Sequence, residues 1–371
     1  MVAPMAKYEH GGDVYTETGA RSSLVDFSAN LNPLGMPDEV VRALRDAADS
    51  FDIYPDLQCR ELRRALAGKI GAPEDHIVCT AGATDLIWRV CRAIRPQTAL
   101  LVAPGFSGYE QALEQVGARI VWHALREREG FRVTERILEE APLVAGAGSA
   151  GERTIVFLCS PNNPTGITIE RGLIVRLLEA AQRVGAVVVL DECFLAFTRK
   201  ASAVELCGRF PSLVVMRAFT KTYAMAGLRL GYGVCSDARL LKGLEDAGQP
   251  WAVSAPAQVA GIAALGVEGW AERTRAYVDA SRDALAQGLR ELGLRVIPGE
   301  ANYLLFRSPV ALYEPLLERG FLVRRCGNYK GLDASWYRVA VRTAEENAAL
   351  LQALAAIRGG SPNAGLTEEA R

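Results

Sequence analysis

TIVFLCSPNNPTGITIERGLIVRLLEAAQRVGAVVVLDE, residues 154–192, joins two short β-rich runs through a turn and an amphipathic helix. In the helical part Thr168 can cap the N-terminus, positions 173, 174, 177, 178 and 181 form one apolar face, and Gly185 ends the helix. The flanking runs, 154–160 and 186–192, are apolar almost throughout, as strands buried on both faces are. Similar runs recur at 76–80, 99–103, 118–123, 212–218 and 232–235, separated by longer amphipathic stretches. The spacing predicts an α/β fold, a mostly parallel seven-stranded sheet between helices, from about Phe51 to Gly233.

After Pro256 one long helical stretch leads to further strands at 294–298, 301–307, 321–326 and 336–342, and to a final helix from about Thr343 to Ile357. This reads as a smaller α+β domain. Before Phe51 stand an extended arm and a short helix, 38–50, placed to pack on the small domain or to reach a partner subunit. The expected divisions are therefore 1–50 for the arm, 51–255 for the large domain, 256–358 for the small domain and 359–371 for a flexible tail.

Composition narrows the function classes. The 371 residues carry 42 Lys+Arg against 43 Asp+Glu, a net charge of −1, which gives no global pull toward nucleic acid or anionic membrane. Eight cysteines at 59, 79, 91, 159, 193, 207, 235 and 326 show no CxxC spacing and lie mostly in apolar runs. They read as buried thiols of a reducing, cytoplasmic setting, with no metal site. The start MVAPMAKYEHGGD has no apolar signal region, and no stretch approaches 18 uninterrupted apolar residues, so neither a leader nor a membrane span is expected.

Chemistry is carried by an ordered series: AGATD (81–85), NNPTG (162–166), DE (191–192) and RAFTKTYAMAGLRLGY (217–232). Alone, each is ordinary: a helix cap, a turn, a strand-end acid, a surface lysine. In sequence order they differ. Asp191 ends a buried parallel strand, where open α/β sheets bind ligands. The amides of Gly82, Ala83 and Thr84 precede a helix and suit a phosphate. Lys221 lies between a buried strand and a glycine-rich loop, eight residues before Arg229. A phosphate clamp, an amine nucleophile, an acid and an amide are the set needed to hold pyridoxal 5′-phosphate, with the lysine as its Schiff-base partner and the acid keeping the pyridine nitrogen protonated.

From about His10 to Ile357 the sequence resembles the fold-type I pyridoxal-phosphate enzymes, in the class I/II aminotransferase branch. The resemblance implies that Lys221 binds the cofactor covalently, Asp191 partners its ring nitrogen, and Asn163 bonds its phenolic oxygen. It also implies that Arg229 and the amides of Gly82, Ala83 and Thr84 hold its phosphate, and that Phe106 stacks on its ring. Tyr54 resembles the tyrosine that reaches the phosphate from a neighbouring subunit, which implies a homodimer with a shared site. Two positions depart from the family pattern. Phe194 stands where Tyr is frequent, and Ala218 where a Ser or Thr often meets the phosphate; Thr220 is not a given replacement.

Within the family the sequence is similar to two groups, the L-threonine-O-3-phosphate decarboxylases of cobalamin synthesis and the histidinol-phosphate aminotransferases. EHGGD (9–13), VDFSANLNPLG (25–35), RRCGNYKGLD (324–333), YRVAVRT (337–343), Phe106 and Phe194 look more like the first, although Asp13 departs from the usual Asn. That likeness implies a phosphorylated amino-acid substrate held by Arg324 and Arg338, with Asn32, Asn163, His10 and the amide of Gly11 assisting. The expected reaction is decarboxylation of L-threonine O-3-phosphate to (R)-1-aminopropan-2-ol O-phosphate and CO2. The alternatives are a histidinol-phosphate aminotransferase and a decarboxylase of phosphoserine.

Overall fold

The computed structural model describes residues 11–16, 18–143 and 151–359; His10 and nearly all of the expected tail lie outside them. In chain order, β1 (Val25–Asp26), α1 (Asp38–Asp46) and α2 (Arg60–Ile70) lead into β2 (Ile77–Thr80), α3 (Ala83–Ile94), β3 (Thr98–Ala103), α4 (Ser107–Glu114) and β4 (Arg119–Ala124). Then come β5 (Thr154–Cys159), α5 (Arg171–Val184), β6 (Val187–Asp191), β7 (Leu213–Ala218), the single turn α6 (Phe219–Thr222) and β8 (Gly231–Val234). The seven strands β2 to β8 form one sheet in the order β2-β8-β7-β6-β5-β3-β4, in which β8 alone runs antiparallel to its neighbours. Every residue of β3 and β5 is buried, the signature of a sheet covered on both faces.

Past α7 (Ala238–Asp246), the single long helix expected from Pro256 is two helices, α8 (Ala255–Leu265) and α9 (Trp270–Glu291). The break falls at Gly266 to Gly269, where a carboxyl cap and the αL residue Gly269 replace helical backbone. A second correction concerns Thr168, which does not cap α5. That helix starts after Glu170, and the Thr168 hydroxyl and amide both donate to Glu300 Oε1, at 2.5 and 3.1 Å.

The remaining elements are β9 (Arg295–Val296), β10 (Tyr303–Arg307), α10 (Tyr313–Glu318), β11 (Phe321–Leu322), β12 (Arg324–Arg325), β13 (Trp336–Ala340) and α11 (Ala344–Gly359). Four of the strands make an antiparallel sheet, β12-β13-β10-β9. The N-terminal arm packs beside this sheet. Its β1 pairs in parallel with β11, Phe27 is fully buried among Leu304, Phe306 and Val339, and the amide of Ala340 donates to the Phe27 carbonyl at 2.8 Å. Burying a phenylalanine to this degree contributes about 1.5–3 kcal/mol, so the arm is anchored by its side chain as well as by the ladder.

Candidate active site

The carboxyl ends of the parallel strands converge on one cavity of about 380 Å³. β6 delivers Asp191, β7 leads directly into the turn holding Lys221, β5 is followed by Asn163, β3 by Phe106, and β2 by Gly82 and the start of α3. Lys221, Asp191, Asn163, Phe106, Ala83, Thr84, Arg229, Gly11, Arg324 and Arg338 all line it.

At the α3 end, Gly82 has φ +87°, and a Cβ there would lie 2.8 Å from Arg229 Nη2. The guanidinium therefore sits against the helix amides because this residue has no side chain. Asp85 in the first turn is neutralised by Arg89 through two bonds of 3.0 and 2.7 Å, which leaves the helix end electropositive. Arg229 holds φ +58°, an uncommon backbone for a residue with a side chain, and its Nη1 donates to the Ala226 carbonyl at 3.1 Å. Ala218 and Thr220 also line the cavity.

Asp191 is buried, and burial pushes its carboxyl up from the ordinary range, opposed by donors from Cys193 and Tyr109. The Tyr109 hydroxyl donates to Oδ2 at 2.6 Å and the Cys193 amide to Oδ1 at 2.8 Å. For Lys221, burial and then the nearby positive charges of Arg338 and Arg229 bring the amine down to about 8. Its Nζ has no hydrogen-bond or carboxylate partner among the described residues and stands 6.0 Å from the Phe194 ring centroid.

Opposite the lysine, β12 and β13 place Arg324 and Arg338 directly across from each other in the ladder. Both are buried, 3% and 5% exposed. Like charges directly opposite across a sheet are destabilising, and a buried cation carries a desolvation cost as well. Arg338 has no carboxylate within ion-pair distance among the described residues: Nη1 donates to Asn163 Oδ1, Nη2 to the Ser28 carbonyl at 2.6 Å, and Nε is buried without a partner. Arg324 donates to Asn328 Oδ1 at 2.9 Å and to the carbonyl of Arg325, and lies 5.2 Å from the Tyr329 ring. Ser28 also seats the N-terminal loop, since Gly12 donates to its hydroxyl at 2.7 Å and a Cβ on Gly11 would fall 2.3 Å from its carbonyl oxygen.

One expectation changes. Asn32 does not reach the cavity. Its Nδ2 donates to the Thr222 carbonyl and to Thr274 Oγ1 at 2.7 and 2.9 Å, and its amide donates to the Lys221 carbonyl at 3.1 Å, so it braces the lysine's turn from behind. Asn30, two residues earlier, lines the cavity and has a buried Oδ1 without a partner. Tyr54 is 78% exposed and leans on Trp251 with ring centroids 4.7 Å apart and planes tilted by 32°, outside the cavity of its own chain. Tyr109 escaped the sequence reading; its only signal was its place one helical turn after Phe106.

The chain matches the model of the family described as aminotransferase class I and II over residues 22–354. It is 38% identical to a threonine-phosphate decarboxylase of Salmonella typhimurium over 93% of this chain and 95% of that protein. A histidinol-phosphate aminotransferase of Symbiobacterium thermophilum is 35% identical over 94% of each chain. Among solved structures, the histidinol-phosphate aminotransferase from Clostridium acetobutylicum superposes with a TM-score of 0.83 at 26% identity, covering 91% of this chain and all of that one.

Proposed function

Because this chain belongs to the aminotransferase class I and II family, and is thereby an enzyme dependent on pyridoxal 5′-phosphate, we propose that it decarboxylates L-threonine O-3-phosphate to 1-aminopropan-2-ol O-phosphate. We assign the reaction to cobalamin biosynthesis. The observation that carries the reading is the facing pair Arg324 and Arg338, two buried guanidinium groups on the wall opposite Lys221. An amino acid bearing both a carboxylate and a phosphate has one anion for each guanidinium, and a planar fork can take either group bidentately.

The residues present fit the cofactor. Lys221 has a free amine, Asn163 Nδ2 has no protein partner among the described residues, and the α3 amides with Arg229 form a cradle for a phosphate. When bound, the cofactor supplies an aldehyde that takes up an amine and a ring that accepts the electron pair of a bond broken at the substrate's α-carbon. Asp191 would hold the proton on the ring nitrogen, Asn163 would donate to the phenolic oxygen, and Phe106 would cover one ring face. By fixing both substrate anions, Arg324 and Arg338 would decide which bond at the α-carbon is presented for cleavage. In the proposed decarboxylation the bond from the α-carbon to the carboxylate would break with loss of CO2, and Lys221 Nζ would return one proton to the α-carbon.

A second reading, a histidinol-phosphate aminotransferase, is favoured by the similarity to such enzymes in sequence and structure. One assay separates them. Incubation with L-threonine O-3-phosphate should release CO2 and leave the amine phosphate with no 2-oxo acid present. Conversion of histidinol phosphate that requires a 2-oxo acid and yields no CO2 would overturn the decarboxylase reading. Running serine phosphate in parallel reads out the one-methyl difference, which is worth about 1–3 kcal/mol in a fitted pocket.

Two further outcomes follow from the site. Only the neutral amine attacks an aldehyde, so capture of the cofactor by apo-protein should accelerate as pH rises through about 8, the value to which burial and Arg338 bring Lys221. A stopped-flow absorbance series across pH 6–10 tests this; an ordinary lysine would show its rise near 10.5. Gly108→Ala would place a Cβ 2.5 Å from Phe106 Cε1 and push that ring off its seat. Overpacking of this kind costs about 1–3 kcal/mol, which predicts cofactor binding ~5- to 150-fold weaker in an equilibrium titration. We also take the exposed Tyr54 and Trp251 to be covered by a second copy of the chain, whose Tyr54 completes the phosphate site. Sedimentation of Tyr54→Ala together with its cofactor affinity tests this.

A further inference from the structure

Tyr109 is buried on α4, one turn after Phe106, and is used by no step described above. Its ring stacks on Phe157 of β5 at 4.9 Å and 14°, and meets Phe106 edge-on at 5.4 Å and 83°. β5 and β6 are neighbours in register, Cys159 opposite Asp191, so a ring resting on Phe157 carries its hydroxyl to the end of β6. There it donates to Asp191 Oδ2 at 2.6 Å, a length typical of a hydroxyl bonded to a charged carboxylate.

We propose that Tyr109 is a positioning residue for Asp191: its hydroxyl fixes the carboxylate's orientation and keeps it a weak base, so that the proton of the cofactor's ring nitrogen stays on the nitrogen. This rests on the reading of Asp191 as the ring-nitrogen partner. The physical argument is short. A hydrogen bond to the carboxylate favours its charged form. Remove the donor and the carboxylate becomes the stronger base, the ring proton moves toward it, and the ring draws electrons less strongly. Tyr109 is fitted to remain a donor, since burial and then the Asp191 charge hold its hydroxyl well above its usual range. The other groups that face Asp191 are Cys193 beside it, Cys159 on β5, Lys221 after β7 and Tyr303 on β10. Of these, the Cys193 amide already occupies Oδ1.

The same turn joins Phe106, which lines the cavity, to Tyr109, which bonds Asp191. Phe106 and Tyr109 touch, so the residue that covers the ring face and the one that orients the ring-nitrogen partner move as one unit.

The test is the titration of the Asp191 carboxyl carbon by 13C NMR in apo-protein, assigned with Asp191→Asn. Tyr109→Phe should raise the midpoint by about one unit, whereas Phe157→Leu, which loosens the ring but keeps the hydroxyl, should leave it in place. A 3-fluorotyrosine at 109, with a more acidic hydroxyl and the same packing, should lower the midpoint, which keeps the test alive if the phenylalanine variant fails to fold. In loaded enzyme, Tyr109→Phe should lower kcat about 10- to 100-fold, as loss of a supporting hydrogen bond at a catalytic group typically does, with KM nearly unchanged. An unmoved midpoint and kcat overturn the proposal, as does an equal shift in Phe157→Leu. If Asp191→Asn itself turns over normally, the reading of Asp191 fails; if it is inactive while Tyr109→Phe is silent, only the role of Tyr109 fails.

Discussion

On the decarboxylase reading, the Lys221→Ala variant should release CO2 from L-threonine O-3-phosphate at least ~10⁴-fold more slowly, the upper end of what a single positioned acid–base group contributes, because the same amine would both capture the cofactor and return the proton. The loss is not structural. Among the described residues Lys221 Nζ has no partner to give up, and burial followed by two guanidinium groups depresses it, so removing it relieves repulsion in a buried site. Thermal unfolding of Lys221→Met, which keeps the length and drops the charge, should occur at or above the wild-type temperature. A variant that loses both activity and stability would mean that the lysine is a strut. Measured together, turnover and Tm separate the two.

The second large effect belongs to Arg338. Arg338→Ala leaves the Ser28 carbonyl without its Arg338 donor, leaves Asn163 Oδ1 only the longer 3.4 Å bond from the Tyr329 hydroxyl, and takes one guanidinium from the wall proposed to hold the substrate. Truncating one partner of a buried charged pair costs about 2–5 kcal/mol, which predicts a fall in kcat/KM of ~30-fold to a few thousand-fold, most of it in KM. Arg338→Lys should rescue little, since a point charge cannot bridge an amide, a carbonyl and a ligand oxygen at once. The same substitution has a sign test in the lysine. Removing a neighbouring positive charge favours the protonated amine, so the midpoint for cofactor capture should move up from about 8 in Arg338→Ala. Steady-state kinetics and the pH series on one protein preparation check both.

The seven strands of the large sheet were legible because runs such as VVVLD are buried on both faces and show no alternation to confuse with a helix. The residues at their carboxyl ends, Asp191, Lys221 and Asn163, were legible for the same reason: strand ends fix where a side chain emerges. What escaped depended on distant partners. Thr168 reads as a cap until Glu300, 132 residues away, takes its hydroxyl. Asn30 and Asn32 sit in one run and share a chemistry. Only the packing of Thr274 and the lysine turn decides that Asn32 faces the scaffold and Asn30 the cavity. The break between α8 and α9 was signalled by Gly266 and Gly269, yet isolated glycines also occur inside helices. Tyr109 shows the general case, since its spacing from Phe106 says nothing of the Phe157 ring it stacks on or of the Asp191 carboxylate on another strand that it bonds.

The pairing of β1 with β11 has a consequence for how the chain is made. Val25 meets Phe321 and the Phe27 carbonyl meets Ala340, so β1 waits on the ribosome for a partner translated about 300 residues later, roughly 15–60 s at ~5–20 residues per second. The seven-stranded sheet closes earlier, once β8 emerges to pair with β2 and β7. A nascent chain thus completes the strands that carry Asp191 and Lys221 well before β12 and β13 bring Arg324 and Arg338. Premature termination between the two leaves Phe27 without Leu304, Phe306 and Val339, the residues that bury it.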